Sequence, residues 1–391
     1  MALVRLLLQA IPGHYRVFTG AGHALWTGVN PYGTDFGTGI GYYFYSPSCA
    51  LFFFGPFSFL PEKIGLLLYM LLSWTVFVWG VREFTKEVKP IFPEIEGFWL
   101  MISPQIFGGI LASKLEILMT GILFLCASWL LDSVKGNSKW LRSAVGFAMI
   151  LNWKFQPLPT VGLLAVLWLL IQKSWKWPLT LAALVIGWFA LPFAFRPTQL
   201  LLDSHSVWKQ TFSVFVADSW LNFENLFSFL NNVFGIRFTL SGSQLFSLLA
   251  GLTLGCTVLL WFLKKRSLLA PEELLIKGSV LCLALGSMYS VVFSPLGQNN
   301  ALILYSPLLL ASFLSLSEAS DKWRMIWLVT LPTVWIVMTL PYSDLIPHGL
   351  REQLRHYAFK PPVCLALAVV LALHAFKSPI TPLRAAAPNR I

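Results

Sequence analysis

Lys154 is the residue of this sequence whose type and position most directly indicate chemistry. It stands in the segment NWKFQPLP at 152–159, in the middle of an apolar stretch and between Trp153 and Phe155. A charged group inside an apolar segment is costly, and it usually faces a partner or a polar cavity that serves function. An ammonium is a compact point charge that suits a phosphate or pyrophosphate. Lys154 is therefore a candidate phosphate-binding residue, with a snorkelling or structurally paired lysine as the alternative.

A second charged pair, Lys114 and Glu116, lies in the segment ASKLE between two apolar segments. Ionisable groups at membrane depth are usually functional, but a solvated turn between two helices also explains this pair. Both interpretations stay open at the level of the sequence.

A polar, glycine-rich loop near the N-terminus contains GVNPYGTDFGTG at 28–39 and precedes an aromatic run interrupted by prolines. If this loop forms the site, the acid or base must lie on the same side of the membrane, within hydrogen-bond reach of the substrate. A plain flexible turn is the alternative. The carboxylates and imidazoles predicted to lie on that side are Asp35, Asp203, Asp218, Glu224, Asp344, His14, His23, His205, His348 and His356.

The uncharged segment SPLGQNN at 294–300 offers amide donors and acceptors that suit a sugar, although a simple turn between two helices explains it as well. The histidines and carboxylates show no metal-ligand spacing such as HExxH. The sequence also contains no P-loop, no GxSxG elbow and no GxGxxG after a strand. We therefore predict neither a metal nor a cofactor.

The elements that must position these residues are membrane helices. Of the 391 residues, 57% are hydrophobic and 12% are charged, and the mean hydropathy is +0.70, whereas a soluble domain carries about 25% charged residues. The net charge of +11 comes from short basic clusters between apolar segments, which is the positive-inside pattern and argues against nucleic-acid binding. The five scattered cysteines predict no disulfide framework. We predict one integral-membrane domain over 1–391.

The fold class is predicted to be all-α, a polytopic bundle of about 9–11 membrane helices with one or two broken or re-entrant segments. Two apolar stretches are unusual: 45–60 is short and carries two prolines, and 143–172 is too long for one upright helix and is interrupted at 152–159. Non-helical backbone at membrane depth is tolerated where it is buried or lines a cavity. The clear apolar segments lie at about 64–81, 97–113, 115–133, 177–195, 244–263, 272–293, 299–316, 324–340 and 363–378.

The basic clusters also orient the chain. With the Lys-Lys-Arg run at 264–266 on the cytoplasmic side, the first loop at 13–44 and a second large loop at 196–243 lie outside the cytoplasm. The first loop keeps this orientation whether the two unusual segments are half-helices or full crossings. The aromatic content of 196–243 further predicts a helix lying at the interface. We expect a multi-pass protein of the cell membrane (cytoplasmic or inner membrane) whose active face is extracytoplasmic.

Several stretches of the sequence contain recognisable motifs. HALWTGVNPYG and then YYFYSPSCALFFFGPFSFLP are similar to the pattern ALL-G-NPY … YPP-(apolar)-P-(apolar)-LP. GFAMILNWKFQPLP is similar to G-(apolar)-K-x-P, and FSPLGQNNALILYSPLLL is similar to SP-(small)-W-x-(H/N). ASKLEILMTGILFL is a weaker match to GQ-x-N-LLL. In their order along the chain, the motifs resemble glycosyltransferase family 87, over roughly residues 10–316.

The resemblance implies a GT-C-type fold and a hexosyltransferase, commonly a mannosyltransferase, that uses a polyprenyl-phosphate sugar donor. Its acceptor would be a lipid or glycan at the outer face, in contact with membrane lipids. In the family an aspartate precedes the (aromatic)-x-V-Y step of the first outer loop, whereas here that step reads YRVF at 15–18 and the position holds His14 or the neighbouring Gly13. An imidazole can act as a base near neutral pH, and Asp35 is the alternative carboxylate.

The resulting hypothesis is an enzyme, and it has two rivals. One rival is a transporter or flippase for a lipid-linked sugar, which would show paired charges in several spans or a repeat of one half in the other, and neither is visible. The other is a catalytically inactive family member, because the expected aspartate is missing. The residues assigned to the enzyme's site are His14 or Asp35 as the catalytic base, Lys154 and Arg16 on the donor phosphate, and Asn30, Tyr32 and Asn300 in contacts with sugar or acceptor.

Overall fold

The computed structural model describes residues 11–38, 43, 45–88, 95–135, 139–219, 225–293, 304–317, 319–339, 347–350, 353 and 359–377. Over these ranges the chain is helical and contains no β-strand, which confirms the all-α class. Some of the predicted candidates lie outside the described residues, and these are Asn300, Glu224, Asp344, His356 and the side chain of Asp218.

The helices coincide with the apolar segments expected from the sequence. The segment predicted at 115–133, for example, is a helix from Leu115 to Asp132. In chain order the helices are α1 (Gly13–Trp26), α2 (Cys49–Ser58), α3 (Glu62–Val88), α4 (Ile95–Leu111), α5 (Leu115–Asp132), α6 (Trp140–Trp153), α7 (Leu158–Gln172), α8 (Lys176–Ala190, continued by a 3₁₀ turn at Leu191–Ala194), α9 (Thr198–Ser219), α10 (Leu226–Phe234), α11 (Leu240–Lys265), α12 (Pro271–Val292), α13 (Ser306–Ser317), α14 (Asp321–Thr339) and α15 (Lys360–Lys377).

Six of the described helices are long and apolar enough to cross a membrane: α3, α5, α8, α11, α12 and α15. Helix α5 is buried along almost its whole length, and α12 is mostly buried, so these two helices form the centre of the bundle. Around them, α3 and α6 pack on α5, whereas α7, α13 and α15 pack on α12. The chain is therefore a polytopic helical membrane protein. Helix α9 lies where an interfacial helix was predicted, and its position at the interface stays a prediction.

The long apolar stretch at 143–172 is broken into two helices, as predicted. Helix α6 ends at Trp153, Lys154 has extended backbone (φ −156°, ψ 134°), and α7 begins at Leu158. Pro157 and Pro159 explain the break, because proline lacks an N–H and disfavours helical backbone in the residue before it. The two helices have 14 and 15 residues, about 21–23 Å at 1.5 Å per residue. Each is shorter than a hydrocarbon core of about 30 Å.

Polar groups at and near this break find partners within the bundle. The hydroxyl of Ser290 on α12 donates to the carbonyl of Gln156 at 2.5 Å. The side-chain amide of Asn152 donates to the carbonyls of Ala148 (3.0 Å) and Val185 (3.1 Å). In lipid, non-helical backbone persists only where its polar groups are satisfied by protein. The break is thus built into the packing of the bundle.

The other unusual stretch, 45–60, contains the short helix α2, whose first part is a π-helix at Cys49–Phe54. A π-helix shifts the normal backbone pairing, and the carbonyl of Leu51 accepts a hydrogen bond from the indole of Trp26 at 2.8 Å. Helices α1 and α2 cross in close contact, because a Cβ atom on Gly22 would lie only 2.7 Å from the backbone nitrogen of Gly55. Whether α2 enters and leaves on one side of the membrane stays a prediction.

Helices α3 and α5 also approach each other through glycines. A Cβ atom on Gly121 would lie 2.6 Å from the backbone nitrogen of Phe77, and Gly80 faces the carbonyl of Gly121 in the same way. Small residues at a crossing allow membrane helices to come closer than larger side chains permit. This crossing sets the position of α5, and with it the position of Glu116 in the first turn of that helix.

Candidate active site

An ion pair joins the helix break to the start of α5. The ammonium of Lys154 lies 2.6 Å from Oε1 of Glu116, and the exposed fractions of the two side chains are only 12% and 2%. Glu116 lies in the first turn of α5, where the helix dipole favours a negative charge. The helix break lies at the backbone of Lys154 itself, and this break directs the side chain of Lys154 towards Glu116. The alternative of a snorkelling lysine is therefore excluded, and a paired lysine is what the structure shows.

The turn that precedes α5 adds a second contact between charged or ionisable groups. The ammonium of Lys114 lies 2.9 Å from Nε2 of His14 on α1, and Lys114 is only 5% exposed. Ser113 has a left-handed backbone (φ 54°), which lets the chain reverse within the few residues between α4 and α5. The interpretation of Lys114 and Glu116 as a solvated turn is therefore wrong, because α1 covers the turn.

We call His14, Lys114, Glu116 and Lys154 the buried charge cluster. Both lysines interact electrostatically with His14 and with the carboxylate of Glu116. The ring of Tyr45 lies 5.5 Å from the ammonium of Lys154. Aromatic faces attract cations, so Tyr45 adds a favourable contact for the charge of Lys154.

His14 is neutral in this environment. Burial, followed by the nearby charge of Lys114, lowers the pKa of His14 from its usual value of 6.5 to about 4. The ammonium of Lys114 has only donors, so Nε2 of His14 accepts a hydrogen bond and the ring carries its proton on Nδ1. In this arrangement Nε2 is occupied, and His14 acts as a base only if Lys114 releases it.

Several polar atoms of the site have no hydrogen-bond partner among the described residues. These buried atoms are Oε2 of Glu116, Oγ of Ser113 and the hydroxyl of Tyr15. Buried polar atoms are normally paired, so unpaired ones indicate a ligand, an ion or water. The ammonium groups of Lys114 and Lys154 can donate to an anion, and Oε2 of Glu116 can accept a hydrogen bond from a hydroxyl group.

Arg16 does not reach the cluster. Its guanidinium binds Glu62 at 2.7 Å, and the two side chains are 49% and 41% exposed. Two residues along a helix correspond to a rotation of about 200°, so Arg16 and His14 lie on opposite sides of α1. The structure therefore separates the two cations that were predicted to bind one phosphate.

The glycine-rich loop is shaped by its own hydrogen bonds. Asp35 is exposed, and its Oδ1 accepts from the backbone N–H of Gly37 at 2.9 Å. The side chain of Asn30 accepts from the N–H of Tyr32 at 3.0 Å, and the hydroxyl of Tyr32 donates to the carbonyl of Tyr45 at 2.6 Å. Tyr32 thus ties the loop to the residue that faces Lys154. The hydrogen bond of Asp35 stays within the loop.

The structure also shows the surroundings of four other candidate bases. Asp203 on α9 is exposed and accepts from the side chain of Gln199 at 2.9 Å. His205 packs its ring against Phe189, with ring centroids 4.4 Å apart. His23 and His348 are exposed.

The sequence indicated Lys154 and His14 directly, whereas it left Lys114 and Glu116 open. The sequence feature that pointed to Lys114 and Glu116 was the occurrence of two ionisable groups at the edge of an apolar segment. The sequence does not show that they are buried, because this depends on the packing of α1 over the turn. Among the described residues, no group of three or more His, Cys, Asp or Glu side chains could hold a metal ion.

Comparison with protein families identifies the chain. The profile of glycosyltransferase family 87 matches residues 43–295, which is more than half of the 391 residues. The chain belongs to glycosyltransferase family 87. Three members of the buried charge cluster, Lys114, Glu116 and Lys154, lie inside the matched range, and His14 precedes it. No curated protein and no solved structure matches the chain.

Membership of family 87 makes this chain a membrane glycosyltransferase, which uses a sugar donor and an acceptor. Within the matched range, the break between α6 and α7 meets the start of α5 through the ion pair of Lys154 and Glu116. A glycosyltransferase needs a group to stabilise the leaving group and a group to take the acceptor's proton. The cluster contains residue types suited to both tasks.

Proposed function

We propose that this member of family 87 transfers a hexosyl residue, in particular mannosyl, from a polyprenyl-phosphate donor to a lipid or glycan acceptor at the extracytoplasmic face. The observation that carries the proposal is the position of Lys154. Its ammonium lies at a helix break inside an apolar bundle, paired with Glu116 at 2.6 Å and largely buried. A phosphate attached to a lipid reaches such a depth from the membrane, whereas a strongly hydrated nucleotide sugar would have to leave water.

The chemistry follows from the charges that change during transfer. The acceptor oxygen forms a bond to the anomeric carbon, and the bond from that carbon to the phosphate oxygen breaks. The hydroxyl proton passes to the base, and polyprenyl phosphate leaves with an added negative charge. A preorganised cation beside the leaving phosphate stabilises this charge most strongly where water is excluded. Lys154 has this role in the proposal.

The remaining residues have less direct support. Asp35 and His14 stay alternatives for the base; Asp35 has an exposed carboxylate, whereas Nε2 of His14 is occupied by Lys114. Asn30 and Tyr32 form hydrogen bonds that shape the loop. In the proposal, this loop contacts the sugar or the acceptor through these two residues. Arg16 and Asn300 remain predictions, the first at the surface in an ion pair and the second outside the described residues.

A transfer assay tests the donor class. Membranes from cells that express the chain are supplied with radiolabelled polyprenyl-phosphate-mannose, and we expect label in an acceptor. If no polyprenyl-phosphate sugar supports transfer while the purified protein moves a lipid-linked sugar across vesicles, the transporter hypothesis replaces the enzyme.

The same assay tests the base. We expect Asp35→Asn or His14→Ala to lower the transfer rate by about 10²-fold to 10⁴-fold, the usual contribution of general acid–base catalysis. Asp203→Asn is the matched control, since it removes an exposed carboxylate on α9 and should leave the rate unchanged. Unchanged rates in both Asp35→Asn and His14→Ala would refute the assignment of the base.

The orientation can be tested separately by cysteine labelling. In a background with Cys256→Ser, Phe36→Cys should react with a membrane-impermeant thiol reagent added outside intact cells. Asn137→Cys should react only after permeabilisation, because the basic cluster near it is predicted to be cytoplasmic. The reverse pattern would overturn the extracytoplasmic placement of the first loop.

A further inference from the structure

Three helix ends meet at one end of the bundle, and each carries exposed basic residues. The ammonium of Lys264, in the last turn of α11, donates to the carbonyl of Phe376 in the last turn of α15 at 3.0 Å. The ring of Trp323, in the first turn of α14, lies 4.9 Å from the ring of His374 on α15, measured between centroids. We call the exposed cations at these three helix ends the basic rim, and they are Lys264, Arg266, Lys322, Arg324 and Lys377.

The helix dipoles explain only part of the basic rim. A cation in the last turn of a helix is favoured by the dipole, and this accounts for Lys264 and Lys377. It does not account for Arg324, because the first turn of a helix disfavours a positive charge. Two exposed carboxylates, Asp321 and Glu272, lie at the starts of α14 and α12, and the cations of the rim outnumber them. The rim therefore presents a positive surface to an external anion.

Apolar side chains lie one helical turn below the basic rim. Each of the three helices presents an exposed leucine four residues from a rim cation, on the side towards the middle of the helix. The three pairs are Leu260 and Lys264 on α11, Leu373 and Lys377 on α15, and Leu328 and Arg324 on α14. Residues four apart share one face of a helix and lie about 6 Å apart along its axis. The charged and apolar groups thus follow one another on the same exposed faces.

We propose that the basic rim and the leucines below it bind an anionic phospholipid, with its phosphate at the cations and its acyl chains along the exposed faces of α11 and α15. A phospholipid has a negative headgroup followed by apolar chains, which is the order that these helix faces match. Clusters of lysine and arginine at the ends of membrane helices attract anionic headgroups. The ammonium of Lys264 has three donors, so it can bind a phosphate oxygen while it donates to the carbonyl of Phe376.

The surface below the rim distinguishes a lipid from a free anion. Leu260 is 59% exposed and Leu373 is 48% exposed, and most of α11 is not buried inside the protein. A free phosphate would contact the cations alone and would gain nothing from these leucines. Acyl chains gain contact area along the same faces, so we assign the surface to a lipid.

A binding experiment tests this surface. The Kd values of phosphatidylglycerol and phosphatidylcholine are measured by native mass spectrometry of the full-length protein in detergent. We expect wild type to bind phosphatidylglycerol more tightly than phosphatidylcholine. The double variant Lys264→Gln with Lys377→Gln should bind phosphatidylglycerol more weakly, by about fivefold for each cation removed. Its Kd for phosphatidylcholine should not change. The amide of glutamine can still donate to the carbonyl of Phe376, so the variant removes charge rather than the contact between α11 and α15.

Arg237→Gln is the matched control, because Arg237 is exposed and lies before the opposite end of α11. It removes the same charge from the protein and should leave both Kd values unchanged. An equal loss in Arg237→Gln would show an effect of net charge in place of a site and would overturn the proposal. Equal affinity of wild type for the two lipids, or an unchanged Kd in the double variant, would overturn it as well.

Arg324→Gln tests the third helix end separately. We expect it to weaken the binding of phosphatidylglycerol by about fivefold, and it decides on the rim if the double variant does not fold. Glycerol phosphate carries the same anionic group without acyl chains, and we expect it to compete only at much higher concentration. Competition by glycerol phosphate at the concentration of the lipid would refute the part of the leucines in binding.

Discussion

Two ion pairs in this molecule have nearly the same geometry and opposite surroundings. Lys154 and Glu116 are 2.6 Å apart and buried, whereas Arg16 and Glu62 are 2.7 Å apart with about half of each side chain exposed. Exposed pairs contribute about 0–1 kcal/mol, because water competes with them. Removing one partner of a buried pair costs about 3–5 kcal/mol, because the remaining charge is left in a poor environment. The distance between the charged atoms therefore does not by itself determine how much an ion pair contributes to stability.

The same contrast separates two residues that the sequence could not rank. Lys154 and Arg16 were both predicted to hold the donor phosphate. An anion gains most from a cation that is poorly hydrated before binding, as Lys154 is, and least from one that water and Glu62 already satisfy. The buried pair is therefore the better candidate for catalysis, and the following variants test this comparison.

The largest effect is expected for Lys154→Met compared with Arg16→Met. Loss of Lys154 should lower the rate of transfer by about 10²-fold to 10³-fold and destabilise the fold by about 3 kcal/mol, since Lys114 remains near Glu116. Arg16→Met should cost less than about 1 kcal/mol. The transfer rate is measured with polyprenyl-phosphate-mannose, and the free energy of unfolding is measured in detergent. Equal losses of rate and stability in the two variants would contradict the comparison.

A double variant separates stability from activity at the buried pair. Lys154→Met combined with Glu116→Leu removes both charges, and replacement of a buried pair by apolar groups is often close to neutral. We expect the double variant to be more stable than Lys154→Met alone and to remain inactive. Recovery of transfer in the double variant would contradict the role of Lys154.

The next largest effect is expected at the crossing of α3 and α5, which positions the buried pair. Gly121→Ala places a Cβ atom 2.6 Å from the backbone of Phe77, and crowding of this kind costs about 1–3 kcal/mol. Gly108→Ala is the matched control, because nothing lies within 4 Å of its Cβ position. It should be neutral or slightly stabilising. Unfolding midpoints in detergent give the comparison, and equal midpoints would mean that the crossing has no such role.

A pH-dependent effect is expected at His14. Its pKa is about 4 in the folded protein and about 6.5 in an unfolded chain, so the unfolded state binds the proton more readily. Stability is therefore retained above pH 6.5 and lost as the pH falls towards 4. His14→Gln keeps an acceptor for Lys114 without titrating, so its unfolding midpoint should fall less over this range. An identical decline in both proteins would contradict the assigned environment.

The smallest effect is expected for Glu62→Gln in the exposed pair. Its cost should be below about 1 kcal/mol and should shrink further at 1 M salt, where the Debye length is about 3 Å. The cost of Glu116→Gln should depend much less on salt, because buried charges are screened weakly. Unfolding experiments at low and high salt measure the stability cost of each variant. A similar salt dependence of the two costs would show that the two environments do not differ.

Much of the fold could be predicted because membrane helices depend on local composition. Apolar segments of sufficient length become helices wherever they occur in the chain, which is why 115–133 and Leu115–Asp132 agree so closely. The break at 154–157 was also predictable, because the missing N–H of proline acts on its immediate neighbours. The crossings were not predictable, since a glycine in an apolar helix does not reveal which helix it faces.

The candidate site was predictable only in part. Lys154 stood out because a charge inside an apolar segment has few harmless explanations. Its partner Glu116 lies 38 residues earlier in the chain, and nothing in the sequence connects the two. Lys114 and Glu116 even belong to one turn, yet one reaches α1 and the other reaches the break between α6 and α7.

The sequence by itself therefore determined that the chain is a helical membrane protein, where its helices lie, where one of them breaks, and which family its motifs resemble. Only the tertiary structure decided which charges meet. The reason is physical: helix formation and proline breaks act over a few residues, whereas burial of a charge depends on distant elements that exclude water. Lys154 and Arg16 have the same charge and similar partners, and the packing of α1, α5 and α6 alone makes their surroundings different.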